Sequence, residues 1–251
     1  MDDVNSLIRR RYEIELKLFD LHNELNSLEE KFPVALYELR YTKAAYEEYI
    51  AGTFPSFFDK LAGKYDDKKD KLYHAFCLAQ ASHDACKGQL DMCRTNIASI
   101  ESDSVILPSR ETLFSIYPNN DYLKYCDAHY CIKCALALLE QNHVYLSSAR
   151  DWTENKYADF KPLGTQYEKS QALKLGSECA TQICILLKQI VSNGFHLEIH
   201  PYFQNPSGFI AAVARQYGQQ DRINYAINAV RTTTTTLKQL MNSLVDDNFS
   251  I

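Results

Sequence analysis

The sequence predicts an all-α chain, with a long antiparallel, coiled-coil-like helical hairpin over residues 1–101 and a helical bundle over 102–251. Three observations predict it. Glycine (8) and proline (7) are scarce among 251 residues, too few for the tight turns of an all-β chain. Two apolar stripes in the first hundred residues step by 4 and 3 without interruption. Three later segments carry broad apolar faces at helical spacing, and such faces bury a core best as a bundle.

The first stripe runs through Leu7, Arg11, Ile14, Leu18, Leu21, Leu25, Leu28, Phe32, Ala35, Leu39, Thr42, Tyr46 and Tyr49. The second runs through Tyr65, Lys69, Leu72, Phe76, Ala79, His83, Cys86, Leu90, Cys93, Ile97 and Ile100. Two seven-residue repeats of similar length, separated by about fifteen residues, pair most simply as an antiparallel hairpin. At 1.5 Å per residue, an arm of about 36 residues is roughly 54 Å long. Pro33 removes one backbone donor inside the first arm, so a kink or a second, consecutive helix is expected there. His83 falls on the seam, as a register-setting histidine with one hydrogen bond or as a proton-sensitive position.

Between the arms lies "TFPSFFDKLAGKY", Thr53 to Tyr65. Thr53 as cap, Pro55 in the first turn and Gly63 as stop define a short helix. Phe54, Phe57, Phe58 and Leu61 then share one face. Burying an aromatic of this size is worth roughly 2–3 kcal/mol over leaving it wet. The segment therefore folds back to plug the open end of the hairpin or dock on the rest of the chain. Alternatively it is an anchor for another protein, and less readily for a membrane surface, because Asp59, Asp66 and Asp67 oppose Lys60 and Lys64.

Beyond an irregular connection from Glu101 to Pro118, Ser109 with Thr112 caps a short helix ending by Tyr117. Major helices are expected over about 121–150, 167–191 and 221–244. The first carries Leu123, Tyr130, Cys134, Ala137, Leu138, Val144 and Tyr145 on its face. Ala172, Leu175, Cys179, Ile183, Leu186 and Ile190 mark the second, which Asn193-Gly194 ends. Ile223, Ile227, Val230, Thr234, Leu237, Met241 and Leu244 mark the third. A shorter helix is expected from Phe209 to Tyr217. The run Thr232 to Thr236 is a poor helix filler, since β-branched side chains lose rotamer freedom, yet its neighbours keep the period.

Net charge is −5, with 14 basic and 18 acidic residues in positions 1–101. Only Arg9 to Arg11 and Lys64 to Lys71 are locally basic, so nucleic acid is not expected as the main ligand. No uncharged run reaches the ~20 residues that a membrane span needs. The N-terminus lacks the apolar region of a secretion signal. Eight cysteines scattered along apolar faces suit reduced core residues, and the expected compartment is the cytoplasm.

Chemistry-bearing segments are few. "CDAHYCIKC", Cys126 to Cys134, holds three cysteines and His129, but one continuous helix points Cys126 and Cys131 to different sides and no second cysteine pair completes a zinc site. In "FHLEIHPYF", Phe195 to Phe203, an extended chain puts His196, Glu198 and His200 on one face, ligand types that suit zinc or iron. Alternation over Phe195, Leu197 and Ile199 equally describes a half-buried strand with a polar edge. Residues 210–230 resemble, in outline, a DNA-binding helix-turn-helix, with Ala214 and Gly218 at the familiar spacing. That resemblance implies a transcriptional regulator, although Gln219 and Asn224 depart from the motif. No phosphate-cradling loop or nucleophile elbow occurs.

The leading expectation is a non-enzymatic interaction or scaffold protein without cofactor, using its hairpin to meet a protein partner or a second copy of itself. A metal-dependent enzyme or metal-binding protein centred on His196, Glu198 and His200 is the alternative, and a DNA-binding regulator using 210–230 the third.

Overall fold

The computed structural model describes residues 2–52, 54–154, 164–209 and 219–246, with side chains over the same stretches apart from 2, 3, 54, 55, 152–154, 164–168, 219, 245 and 246. The fold is all-α. Its helices are α1 (Asp2–Ile50), α2 (Phe54–Leu61), α3 (Tyr65–Ser104), α4 (Arg110–Ile116), α5 (Asp121–Glu154), α6 (Gly164–Ser192), α7 (Pro201–Gln204) and α8 (Gln219–Asp246). No strand occurs among the described residues, and no helix there is long and apolar enough to cross a membrane.

The chain divides into two units, 13–108 and 1–12 together with 109–251. In the first unit α1 packs along α3. From Ile14 to Tyr49, and from Tyr65 to Ile100, every stripe residue is buried or half-buried. Leu28, Leu90, Cys93 and Ile97 form the seam's best-covered stretch, with Leu18, Leu21, Leu25, Phe32 and Cys86 around them. Cys93 Sγ donates to the Leu21 carbonyl at 3.3 Å, so the thiol packs as a small apolar group with a weak donor. Across the seam Arg94 pairs with Glu29 at 2.8 Å, but both are about half exposed, and such pairs contribute less than about 1 kcal/mol. Apolar burial holds the arms together.

Pro33 does not divide the first arm: α1 is one helix through it. Its ring lies on the exposed side, where water can serve the carbonyl that lacks its helical donor. His83 is a seam residue, with its ring 5.2 Å from Phe32 and Nδ1 hydrogen-bonded to Asp84 at 3.0 Å.

In the second unit, local chemistry sets the helix ends. Ser109 Oγ accepts from Thr112 N at 3.2 Å and starts α4, and Asn120 Oδ1 accepts from Leu123 N at 2.9 Å and starts α5. Gly194, at φ 93°, ends α6 as Gly194 N donates to the Val191 carbonyl and Phe195 N to that of Ile190. The main core draws Ile132, Ala135 and Leu139 from α5, Ile183, Leu187 and Ile190 from α6, and Ile223, Ile227 and Leu237 from α8.

The apolar face expected for α5 needs correction. Val144 is exposed, whereas Asp127, Cys131, Leu139, Asn142 and Leu146 are buried. α5 packs against both α6 and α8, so its covered arc is wider than one stripe and includes two polar positions that disguise it. α8 follows its expected stripe closely. Its threonines keep the helix by donating to carbonyls one turn back, Thr234 to Val230 at 2.8 Å and Thr235 to Arg231 at 3.1 Å.

Residues 1–12 lie with 109–251 and not with the hairpin. Ile8 and Tyr12 are buried with Leu113 and Leu123, flanked by Val4, Leu7 and Phe114. The helix expected over Phe209 to Tyr217 lies, apart from Phe209, outside the described residues, as do Thr53 and Pro162.

Candidate functional site

The connection between the hairpin arms turns on two glycines. Gly52 (φ 85°) ends α1, and Gly63 (φ 66°) ends α2 with Gly63 N donating to the Lys60 carbonyl and Lys64 N to that of Asp59. Both glycines occupy left-handed backbone that other residues reach only at a cost.

Between these turns α2 is set inside out. Ser56 is fully buried, and half-buried Asp59, one turn further on, accepts hydrogen bonds from Tyr49 Oη at 3.0 Å and Lys68 Nζ at 2.9 Å. Lys68 and then Tyr49 hold the Asp59 carboxyl below its usual range. Burial and the same carboxylate push the Tyr49 phenol up to about 12. Tyr49 is itself buried and stacks on Tyr65 at 5.3 Å, and Lys60 Nζ lies 4.6 Å from the Tyr65 ring centroid. The short helix is thus tied to the end of α1 and the start of α3 by its polar side.

The apolar side faces outward. Phe57 and Phe58 are each 55% exposed and Leu61 is 72% exposed, with the two phenylalanine rings edge to face at 6.0 Å. The fold-back that would bury these three side chains is not what the chain adopts. The Phe54 side chain lies outside the described residues. Further along α1, Tyr37 and Tyr41 stack at 6.3 Å and are also exposed. Aromatic residues held rigid at a surface are the usual anchors of protein interfaces.

A second cluster, in the other unit, is polar and buried. Asp127 is fully buried on α5. Its Oδ1 accepts from Tyr12 Oη at 2.7 Å and from Arg110 through Nε at 3.0 Å and through Nη2. Its Oδ2 accepts from Gln189 Nε2 at 3.0 Å, Asn193 Nδ2 at 2.8 Å and, weakly, Cys131 Sγ at 3.9 Å. Arg110 also covers the Tyr130 ring at 4.3 Å. Burial works against the Arg110 charge, but Asp127 more than offsets it, so the guanidinium stays charged; burial, then Asp127, raises the Tyr12 phenol. With both oxygens occupied by donors, the carboxylate has no lone pair aimed at a substrate. It works as a tie between α1, α4, α5 and α6.

The sequence pattern gave no sign of this tie, because its members stand at 12, 110, 127, 189 and 193. The one available signal was an aspartate amid the apolar residues of a helix, which must find partners if buried.

The remaining candidates do not converge. His196 and Glu198 are exposed, while His200 Nδ1 accepts from Tyr202 N at 3.2 Å and caps α7, its ring 5.0 Å from Tyr225. The polar face these residues share is real, since Phe195, Leu197 and Ile199 pack inward on the core, but the segment is not a strand. Among the described residues no three His, Cys, Asp or Glu side chains gather as metal ligands. In the Cys126–Cys134 stretch, burial pushes the Cys126 thiol up to about 11, and burial with Asp127 takes Cys131 to about 12. Thiols held protonated are poor ligands and nucleophiles. Of the 210–230 segment, 210–218 lies outside the described residues, and the rest continues as α8.

Compared with known proteins, the chain matches no family model, no curated protein and no solved structure.

Proposed function

We propose that this chain is a non-enzymatic interaction protein whose hairpin tip anchors another protein through Phe57, Phe58 and Leu61. The observation that supports the reading is the inverted setting of α2: Ser56 is buried and Asp59 tied inward, while Phe57, Phe58 and Leu61 stand in water. Each phenylalanine, 55% exposed, forgoes about 1–1.5 kcal/mol that full burial would add, and that free energy is available to a partner. The clamp on Asp59 fixes the helix beforehand, so little conformational freedom is lost on docking. No cofactor enters this function. Its proposed compartment is the cytoplasm, supported by eight free cysteines, Cys77 among them exposed.

The test is the double variant Phe57→Asp, Phe58→Asp in the full chain. Its helical circular dichroism and melting temperature should match the parent, while a protein cross-linked to the parent tip is lost. An unfolded variant, or an unchanged cross-linking pattern, overturns the reading.

A further inference from the structure

α5 and α8 run antiparallel: Tyr125, near the start of α5, donates its hydroxyl to the Leu244 carbonyl, near the end of α8, at 3.1 Å. Midway along them lies an open groove of about 730 Å³ to which α6 contributes no residue. Buried Leu139 and Val230 form its floor, and Val144 stands 56% exposed at its rim. The α5 rim carries Glu140, and the α8 rim carries Arg231. Neither side chain belongs to any ion pair among the described residues, although both are exposed.

We infer that this groove is the seat of a second copy of the same chain, joined by a two-fold axis parallel to α5 and α8. That operation lays α5 of one copy over α8 of the other, so every neighbouring pair is antiparallel and the four helices complete a bundle. A two-fold axis along the helices preserves height. Glu140 and Arg231 line the same stretch of groove, so Glu140 meets Arg231 of the partner subunit, and symmetry makes the pair twice. The acidic rim on one helix and the basic rim on the other are the complementarity that selects this occupant. A small molecule would remain largely wet in so open a groove. Lys238, two turns along α8, adds its aliphatic stem to the same wall. The groove shares no residue with the hairpin tip, and the two readings fail independently.

Sedimentation equilibrium of the full chain, at concentrations up to about 100 µM, should give about twice the 28.9 kDa chain mass. Glu140→Arg alone and Arg231→Glu alone each place like charges opposite one another, and each should weaken the dimer by about tenfold or more. Mixed together, the two variants restore both pairs and should associate like the parent. Val144→Asp, at an exposed position of the single chain, should weaken the dimer while leaving the helical circular dichroism unchanged and removing the concentration dependence of the melting temperature. A parent chain that stays at 28.9 kDa overturns the inference and leaves the groove to a helix of another protein. A dimer that survives both charge changes, or a mixture that fails to associate, overturns it as well. A dimer lost instead in the Phe57→Asp, Phe58→Asp variant does the same and assigns self-association to the tip.

Discussion

The hairpin of 13–108 and the helical unit of 1–12 with 109–251 use the same element for opposite ends. Along the hairpin each helix covers a single line of side chains. Apart from Leu28, Tyr49, Ala79, Leu90, Cys93 and Ile97, even that line is only partly covered. Its polar contacts, such as Arg94 with Glu29, lie at the surface. In the other unit α5 is covered from two directions, twenty of the described residues have no exposed surface, and charged groups are tied inside. Stability in a one-seam hairpin accrues residue by residue, and the surface remains available for contact. Stability in the packed unit is concentrated, and the polar ties select one arrangement of four segments at the expense of tolerance to change.

The sharpest way to break that contrast is Asp127→Ala. Removing the carboxylate leaves half-buried Arg110 without its counter-charge and Tyr12, Gln189 and Asn193 without their acceptor, at a cost of about 3–5 kcal/mol. Native-state hydrogen exchange should show lost protection in α5 and α6 while α3 amides in the hairpin are unaffected. Equal loss in both units would mean that they unfold as one. Next comes a matched pair, Leu187→Ala and Leu90→Ala. Both fall within the roughly 2–5 kcal/mol known for core leucines, and Leu187 should lie nearer the top because more fully covered surroundings collapse less readily. Denaturant titration followed by exchange would rank them, and a larger effect at Leu90 would reverse the comparison.

The smallest effect is alkaline. Cys131 is raised to about 12 in the native state from an ordinary 9.0, and Tyr202 to about 12 from 10.0. The folded chain holds these protons more tightly, so their contribution is complete below about pH 9 and is lost as pH rises through about 12. In the hairpin, Tyr49 acts likewise from 10.0 to about 12, while Asp59 contributes above its ordinary 3.8 and loses that contribution as pH falls. Thermal melts from about pH 8 to pH 11 should fall above pH 9, and less steeply for Cys131→Ala. A flat profile would mean that the thiol ionises without unfolding its surroundings.

The parts legible in the amino-acid order are those in which one line of side chains decides the structure. Stripe residues of α1 and α3 recur at 4 and 3, and Gly63 and Gly194 stop helices because left-handed backbone suits glycine. α8 could be read for the same reason. α5 could be read as a helix but its covered face could not, since Asp127 and Asn142 sit at covered positions and interrupt its apolar period. Asn142 bonds the Gly176 carbonyl at 2.5 Å and accepts from Tyr202 Oη at 3.2 Å, partners 34 and 60 residues away. The tip could be read as a helix with one apolar face, but its direction could not. That depended on Tyr49 and Lys68 capturing Asp59 from the flanking helices.

The tie at Asp127 also sets an order of events during synthesis. Tyr12 leaves the ribosome early, yet the donors that share its carboxylate partner include Asn193. At about 5–20 residues per second the wait is roughly ten to forty seconds. During that interval the two rods of 13–108 have all they need to zip, and Val4, Leu7 and Ile8 gain their apolar partners once Leu113 and Leu123 are made, yet the carboxylate that Tyr12 meets still lacks its two amide donors, Gln189 and Asn193.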